Sequence, residues 1–270
     1  MIQLAVFDFS GTTIDDGQAV YRALEDAVRE CGVDVDPHDL LAWMSADKHT
    51  ALAALIELGG GSVTASVVAR AHARYVALLD GYYVSLPPRP LPGVSATLRA
   101  LRAAGIRIAL TTGLSRPVAT AVLARLGWRL GAPGEDNAVT IDALVCGDEV
   151  SQLSPAPYLI HRAMERTGVL DAARVLAAGD TVADVQAGLY AGAAHALGIL
   201  GGEHTAADFR EAGLGLATDS RVRILDAITV LPEFLNLSAT PGSATPPGAR
   251  TDASRPAAPH RGLRPVDTRR

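Results

Sequence analysis

Along the first 237 positions, short apolar runs alternate with amphipathic stretches of ten or more residues. The runs at 3–8, 106–112, 143–146, 175–179 and 194–199 read as buried strands, because each is nearly continuous in Val, Ile, Leu and Ala. The stretches at 94–104, 116–126, 157–167 and 182–191 carry apolar residues at helical spacing. Several of them end on a glycine that suits a helix terminus, as at Gly105, Gly127, Gly168 and Gly192. Strands that alternate with helices of this length predict an α/β fold with a doubly wound parallel sheet, in which ligands bind at the carboxyl ends of the strands.

One interval departs from this rhythm. Between Asp15 and Pro87 no strand pattern occurs, and helices are expected at 19–31, 39–44, 47–58 and 64–79. The interval closes with the stiff segment Pro87-Pro88-Arg89-Pro90-Leu91-Pro92-Gly93. A helical cap domain at 15–87, inserted straight after the first strand, would lie over the ligand-binding edge of a core made of 1–14 and 88–237. From 238 to 270 the composition turns to Pro, Ser, Thr, Ala and Arg, with 6 of the 16 prolines, and predicts a disordered tail.

Composition narrows the function classes. The net charge of −5 offers no basic surface for nucleic acid, and no apolar run reaches the ~18 residues of a membrane span. The start, MIQLAVFDFSG, lacks the features of a signal peptide, so a cytoplasmic location is expected and Cys31 and Cys146 are read as free thiols. The chain holds 24 Lys and Arg residues, of which Lys48 is the single lysine.

Three strand ends carry the candidate chemistry. The first run ends in Asp8-Phe9-Ser10-Gly11-Thr12-Thr13, the second in Thr111-Thr112-Gly113, and the fourth in Gly179-Asp180-Thr181-Val182-Ala183-Asp184. Three carboxylates converging on one sheet edge would repel one another unless a cation sat among them, and hard oxygen ligands beside a phosphate favour Mg²⁺.

In order and spacing these motifs resemble those of the haloacid dehalogenase superfamily of phosphotransferases: Asp8-x-x-Gly11-Thr12, the Thr112 strand end, and Gly179-Asp180-Thr181-x-x-Asp184 followed by Ala187-Gly188-x-x-Ala191-Gly192. The resemblance covers about residues 1–235 and implies a Rossmann-like core with a cap. It implies that Asp8 attacks phosphorus to form an aspartyl-phosphate that water hydrolyses. Mg²⁺ would be held by Asp8, the Ser10 carbonyl, Asp180 and Asp184, the last directly or through water. Thr112 would bond a phosphoryl oxygen, with Gly11, Thr12 and Gly113 at the phosphate.

Two departures from the common phosphatase pattern stand out. Position 10 is Ser where a second aspartate normally serves as general acid, whose loss costs roughly 10²- to 10⁴-fold in rate. The phosphonatase (phosphonoacetaldehyde hydrolase) branch also has a small residue there and uses a cap lysine that forms an imine with an aldehyde. Met44-Ser45-Ala46-Asp47-Lys48 resembles that branch's cap motif, as do Ala19-Val20-Tyr21-Arg22-Ala23-Leu24 and Gly201-Gly202-Glu203-His204. The resemblance implies imine chemistry at Lys48 and a substrate contact at Met44; a guanidinium could not form a Schiff base. The branch's histidine three residues beyond the lysine is Ala51 here. The second departure is Leu153-Ser154-Pro155-Ala156-Pro157, where the superfamily places Lys or Arg ahead of the proline pair. Arg116, near the start of the helix after Thr112, is the candidate replacement, ahead of Arg162.

The expected activity is Mg²⁺-dependent hydrolysis of a small phosphonate or phosphate ester. The alternatives are a phosphomonoesterase of the phosphoglycolate phosphatase kind without imine chemistry, and a non-catalytic phosphate-binding descendant. The expected partner is a small phosphorylated or phosphonate metabolite, and the oligomeric state, a homodimer included, stays open.

Overall fold

A computed structural model describes residues 1–44, 46–132, 138–215 and 219–237; the expected tail and Ser45 lie outside the described residues. The sheet is built from β1 (Leu4–Asp8), β2 (Arg107–Thr112), β3 (Ala143–Cys146), β4 (Val175–Gly179), β5 (His195–Ile199) and β6 (Val222–Leu225). Its order is β6-β5-β4-β1-β2-β3 and every pairing is parallel. β1 is flanked by β2, with Asp8 paired to Thr111, and by β4, with Phe7 paired to Ala178. The chain proceeds outward from β1 through β2 and β3, then returns to the other side of β1 at β4. That reversal opens a crevice between the carboxyl ends of β1 and β4, the place where such sheets bind ligands.

The strands alternate their side chains between two apolar layers. Ala5 and Phe7 of β1 join Ile108, Leu110, Leu176 and Leu197 on one face. Leu4 and Val6 join Ala109, Val145, Val175 and Ala177 on the other. Both layers are covered by helices, which is why the strands read as continuous apolar runs. The sixth strand escaped the sequence pattern: Val222–Leu225 is a short edge strand whose Arg223 is exposed, so it lacks such a run.

Between β1 and β2 lie α1 (Ala19–Arg29), α2 (Pro37–Ala42), α3 (Lys48–Leu58), α4 (Ala65–Ser85) and α5 (Val94–Ala103). α1 buries Ala19, Val20, Ala23, Leu24, Ala27 and Val28, a stripe at helical spacing. α4 buries Ala71, Tyr75, Leu79 and Tyr83, one residue per turn, and is longer than the expected 64–79. α2 starts two residues before its expected position, because Asp36 caps it and Pro37 occupies its first turn. The two segments joining the insert to the sheet pair with each other as a short antiparallel ribbon, Ile14 opposite Pro90 and Asp15 opposite Arg89. The remaining helices that frame the crevice are α6 (Arg116–Leu126), α7 (Tyr158–Thr167) and α8 (Val182–Tyr190).

Candidate active site

Asp8 ends β1, and the chain turns immediately behind it. Gly11 adopts φ +78°, and a Cβ there would lie 2.3 Å from Asp180 Oδ2, so the turn requires glycine on both counts. Thr13 Oγ1 donates to the Phe9 carbonyl at 2.8 Å and tightens the turn. Thr12, buried, donates its hydroxyl to Asp180 Oδ1 at 3.0 Å. Asp180 follows β4 directly, and its other oxygen accepts the Glu203 backbone N–H at 2.7 Å. Asp184 lies one turn into α8, where it completes a capping box: Thr181 Oγ1 donates to Asp184 Oδ2 at 2.6 Å while accepting the Asp184 N–H. The second oxygen of Asp184 accepts from Ser154 Oγ at 3.0 Å.

Burial and mutual repulsion act on these three carboxylates together. Burial raises Asp8 well above the usual carboxylate range, and Asp184 and Asp180 raise it further. Burial also raises Asp180, with Asp184 adding to the effect, and raises Asp184 despite the hydroxyls of Thr181 and Ser154. These three acids, with Asp180 buried and Asp8 and Asp184 partly so, make a crowded, oxygen-rich donor set that a hard divalent cation would relieve.

A cavity of about 560 Å³ opens above them. Asp8, Ser10, Gly11, Thr112, Gly113, Asp180 and Asp184 line it from the sheet side, and Tyr21, Leu41, Met44 and Lys48 line it from the helical insert. Thr112 is oriented by the Leu114 N–H, which donates to its Oγ1 at 3.1 Å. Lys48 is the first residue of α3, set there by Asp47, whose side chain caps the helix by accepting the Thr50 N–H at 3.0 Å. The lysine is 6% exposed, and its Nζ donates to the carbonyls of Met44 and Ala46. Burial lowers it to about 8, although Glu203, Asp47 and Asp8 favour its charged form. Among the described residues lining the cavity it is the sole Lys, Arg or His.

This fold and the order of its acidic strand ends agree with the family comparison: a family model of haloacid dehalogenase-like hydrolases matches residues 2–192. The chain belongs to that family. A phosphonoacetaldehyde hydrolase of Bacteroides fragilis is 37% identical over 105 residues, 38% of this chain and 36% of its own length. One from Paraburkholderia xenovorans is 26% identical over 202 residues, 71% of this chain and 72% of that one. The chain thus spans little more than a third of the Bacteroides relative. A solved phosphonoacetaldehyde hydrolase-like protein from Oleispira antarctica shares the fold with a TM-score of 0.69 at 17% identity, over 87% of this chain and 91% of that one.

The structure places two expected phosphate-contacting residues, Arg116 and Thr12, outside the cavity lining. Arg116 does not line the cavity: its Nε and Nη2 donate to Glu149 at 2.6 and 2.7 Å, and Nη2 also donates to the Leu144 carbonyl. A guanidinium bound on both sides by a carboxylate is not free to meet a phosphate. Arg162 is no replacement, being paired with Glu165 at 2.5 Å. Thr12 also sits behind the cavity wall, where its side chain supports Asp180. His49, beside Lys48, stacks on His72 with ring centroids 3.8 Å apart. Cys146, Asp148 and Glu149 form another close acidic group. Burial works against the Glu149 carboxylate, but hydrogen bonds from Arg116 and Arg166 hold it well below its usual range, so this group is an ion-pair network.

Three cavity acids, Glu203, Asp16 and Asp15, were absent from the sequence-derived site. Glu203 follows β5, and burial together with Asp180 and Asp184 raises it to about 7 while Lys48 opposes the rise. Its signal was the pair Gly201-Gly202 ahead of an acid: a Cβ on Gly202 would lie 2.1 Å from Asp180 Oδ2. Asp16 accepts the Ser10 hydroxyl at 3.3 Å and the Gln18 N–H at 3.0 Å, and burial raises it. It left no signal, since acids in a polar turn are ordinary.

Proposed function

We propose that this hydrolase cleaves the carbon–phosphorus bond of a small phosphonate aldehyde, with Asp8 as nucleophile, Lys48 as imine-forming amine and residues 15–87 acting as a cap. The observation that carries the reading is the sharing of one cavity by Asp8 at the end of β1 and the chain's single lysine. Asp8, the Ser10 carbonyl, Asp180 and Asp184 are the groups that would hold Mg²⁺. That ion, when bound, would neutralise the carboxylates and the phosphoryl oxygens.

Lys48 Nζ, neutral, adds to the substrate aldehyde, loss of water leaves an imine, and the imine nitrogen takes up a proton from solvent. An Asp8 oxygen then attacks phosphorus in line with the carbon–phosphorus bond. The electron pair of that bond passes to carbon and neutralises the iminium as an enamine. No alkoxide leaves, so an acid at position 10 is not needed, which agrees with Ser10. Thr112 orients a phosphoryl oxygen. Water cleaves the aspartyl-phosphate to release phosphate, and protonation and hydrolysis of the enamine free the aldehyde and the amine.

The test pairs phosphate release with borohydride trapping. Phosphonoacetaldehyde, Mg²⁺ and borohydride should give an adduct on Lys48, and Asp8→Asn should abolish phosphate release. Turnover of phosphomonoesters with no lysine adduct would instead establish the phosphatase alternative. Ligand-induced stabilisation without any turnover would establish a phosphate-binding protein.

A further inference from the structure

The cavity above Asp8 differs chemically from one side to the other. Six carboxylates line it, those of Asp8, Asp15, Asp16, Asp180, Asp184 and Glu203, against the single cation of Lys48. In the chemistry above, that amine is committed to the substrate carbonyl, and Asp8, Asp180 and Asp184 belong to the phosphoryl end. A second anionic group on the ligand would therefore meet no cation among the described lining residues, and would face further acids.

The insert side is apolar. Val20 and Tyr21 of α1, Leu41 of α2 and Met44 just beyond it form a wall of the cavity beside the lysine. Leu40 anchors α2 in the core, whereas Leu41 is 46% exposed, and Tyr21 and Met44 are half-buried. The Met44 N–H donates to the Leu41 carbonyl at 3.1 Å and keeps these two together, and the Met44 carbonyl in turn accepts from Lys48 Nζ. The wall thus holds apolar surface for a ligand to cover, next to the amine. A cavity of about 560 Å³ is also in the range, ~300–1,000 Å³, of sites that bury drug-sized ligands, and a two-carbon phosphonate would leave the insert side unfilled.

We propose that the cavity selects phosphonate aldehydes whose organic part is otherwise uncharged and carries an alkyl group, which Val20, Tyr21, Leu41 and Met44 cover. Each methylene moved from water onto this wall adds affinity, whereas a carboxylate in the same place loses its hydration and gains no counter-charge. The aldehyde in this substrate class rests on the carbon–phosphorus reading given above; the preference for an apolar chain rests on the wall alone.

Two measurements separate these. In full-length protein with Mg²⁺, butylphosphonate, which has no carbonyl to engage the lysine, should bind about tenfold more tightly than methylphosphonate in calorimetry. Leu41→Asp, at an exposed position, should cut that preference roughly threefold or more. In turnover, 2-phosphonobutanal should have a kcat/KM about tenfold or more above that of 4-oxo-3-phosphonobutanoate, which carries a carboxylate in place of its methyl group. Leu41→Arg should raise kcat/KM for the carboxylate substrate, a gain that misfolding cannot produce. Equal affinity for the two alkyl phosphonates, or equal turnover of the two aldehydes, would overturn the proposal. A butyl preference in a protein that gives no lysine adduct would uphold the apolar wall and reject carbon–phosphorus cleavage.

Discussion

Arg116 and Glu149 are locked as a two-pronged pair, Nε to Oε1 at 2.6 Å and Nη2 to Oε2 at 2.7 Å, at the edge of the sheet and outside the cavity. Ser154, ahead of Pro155, donates a neutral hydrogen bond to Asp184 at 3.0 Å. Lys48 is therefore the sole Lys, Arg or His among the described residues that line the cavity.

Arg116→Ala should consequently act on stability and not on substrate binding. It removes the two-pronged partner of the partly buried Glu149, which keeps Arg166 at 2.9 Å and the Cys146 N–H at 2.8 Å, and should cost about 1–3 kcal/mol in urea unfolding. The KM for any phosphorylated substrate should stay unchanged, and a KM rise of tenfold or more would place Arg116 back at the phosphate.

Lys48→Met should stabilise the protein while removing imine chemistry. Burial lowers Lys48 from its ordinary 10.5 to about 8, which corresponds to about 3 kcal/mol of cost while the amine is charged in both states. Methionine has a similar shape and no charge, so a higher Tm at pH 7 is expected. Between pH 8 and 10.5 the unfolded chain holds a proton that the folded protein has released, so wild-type stability gains with pH through that window. The Tm advantage of Lys48→Met should shrink over the same range.

Gly202→Ala places a methyl group 2.1 Å from Asp180 Oδ2 and must displace the loop or the carboxylate. About 1–3 kcal/mol of stability should be lost, and turnover should fall with it because Asp180 moves. Gly32→Ala is the control for surface glycines: it meets no atom within 4 Å, although its φ of +82° carries a backbone cost.

If Asp8, Asp180 and Asp184 form the donor set for Mg²⁺, the ion should stabilise the fold by relieving their repulsion. At a hundredfold excess over its Kd the gain should be about 2.7 kcal/mol, read as a Tm rise that a chelator reverses. Asp180→Ala should abolish the response, and an unaltered response would place the ion elsewhere.

The strand ends were readable because parallel strands buried on both faces are continuous apolar runs, so polar residues that interrupt them mark the carboxyl edge. Asp8, Thr112 and Asp180 were located in this way, and Lys48 by its place in a motif. Arg116 was misjudged because its partner Glu149 lies 33 positions away on another loop. Glu203 belongs to the motif Gly201-Gly202-Glu203-His204, but its place beside Asp180 depends on a contact spanning 23 positions, which no local pattern reveals.

Hydrophobic period and glycine placement thus suffice for the α/β architecture, its helical insert and the acidic sheet edge, since each follows from local burial and chain geometry. Which charges meet, and which are consumed by one another, follows from packing between distant segments. That packing commits Arg116 to Glu149, sets Ser154 on Asp184, and buries Lys48 in the cavity that Asp8 lines. Such choices depend on distances of a few ångströms between elements, and side-chain identity along the chain does not encode them.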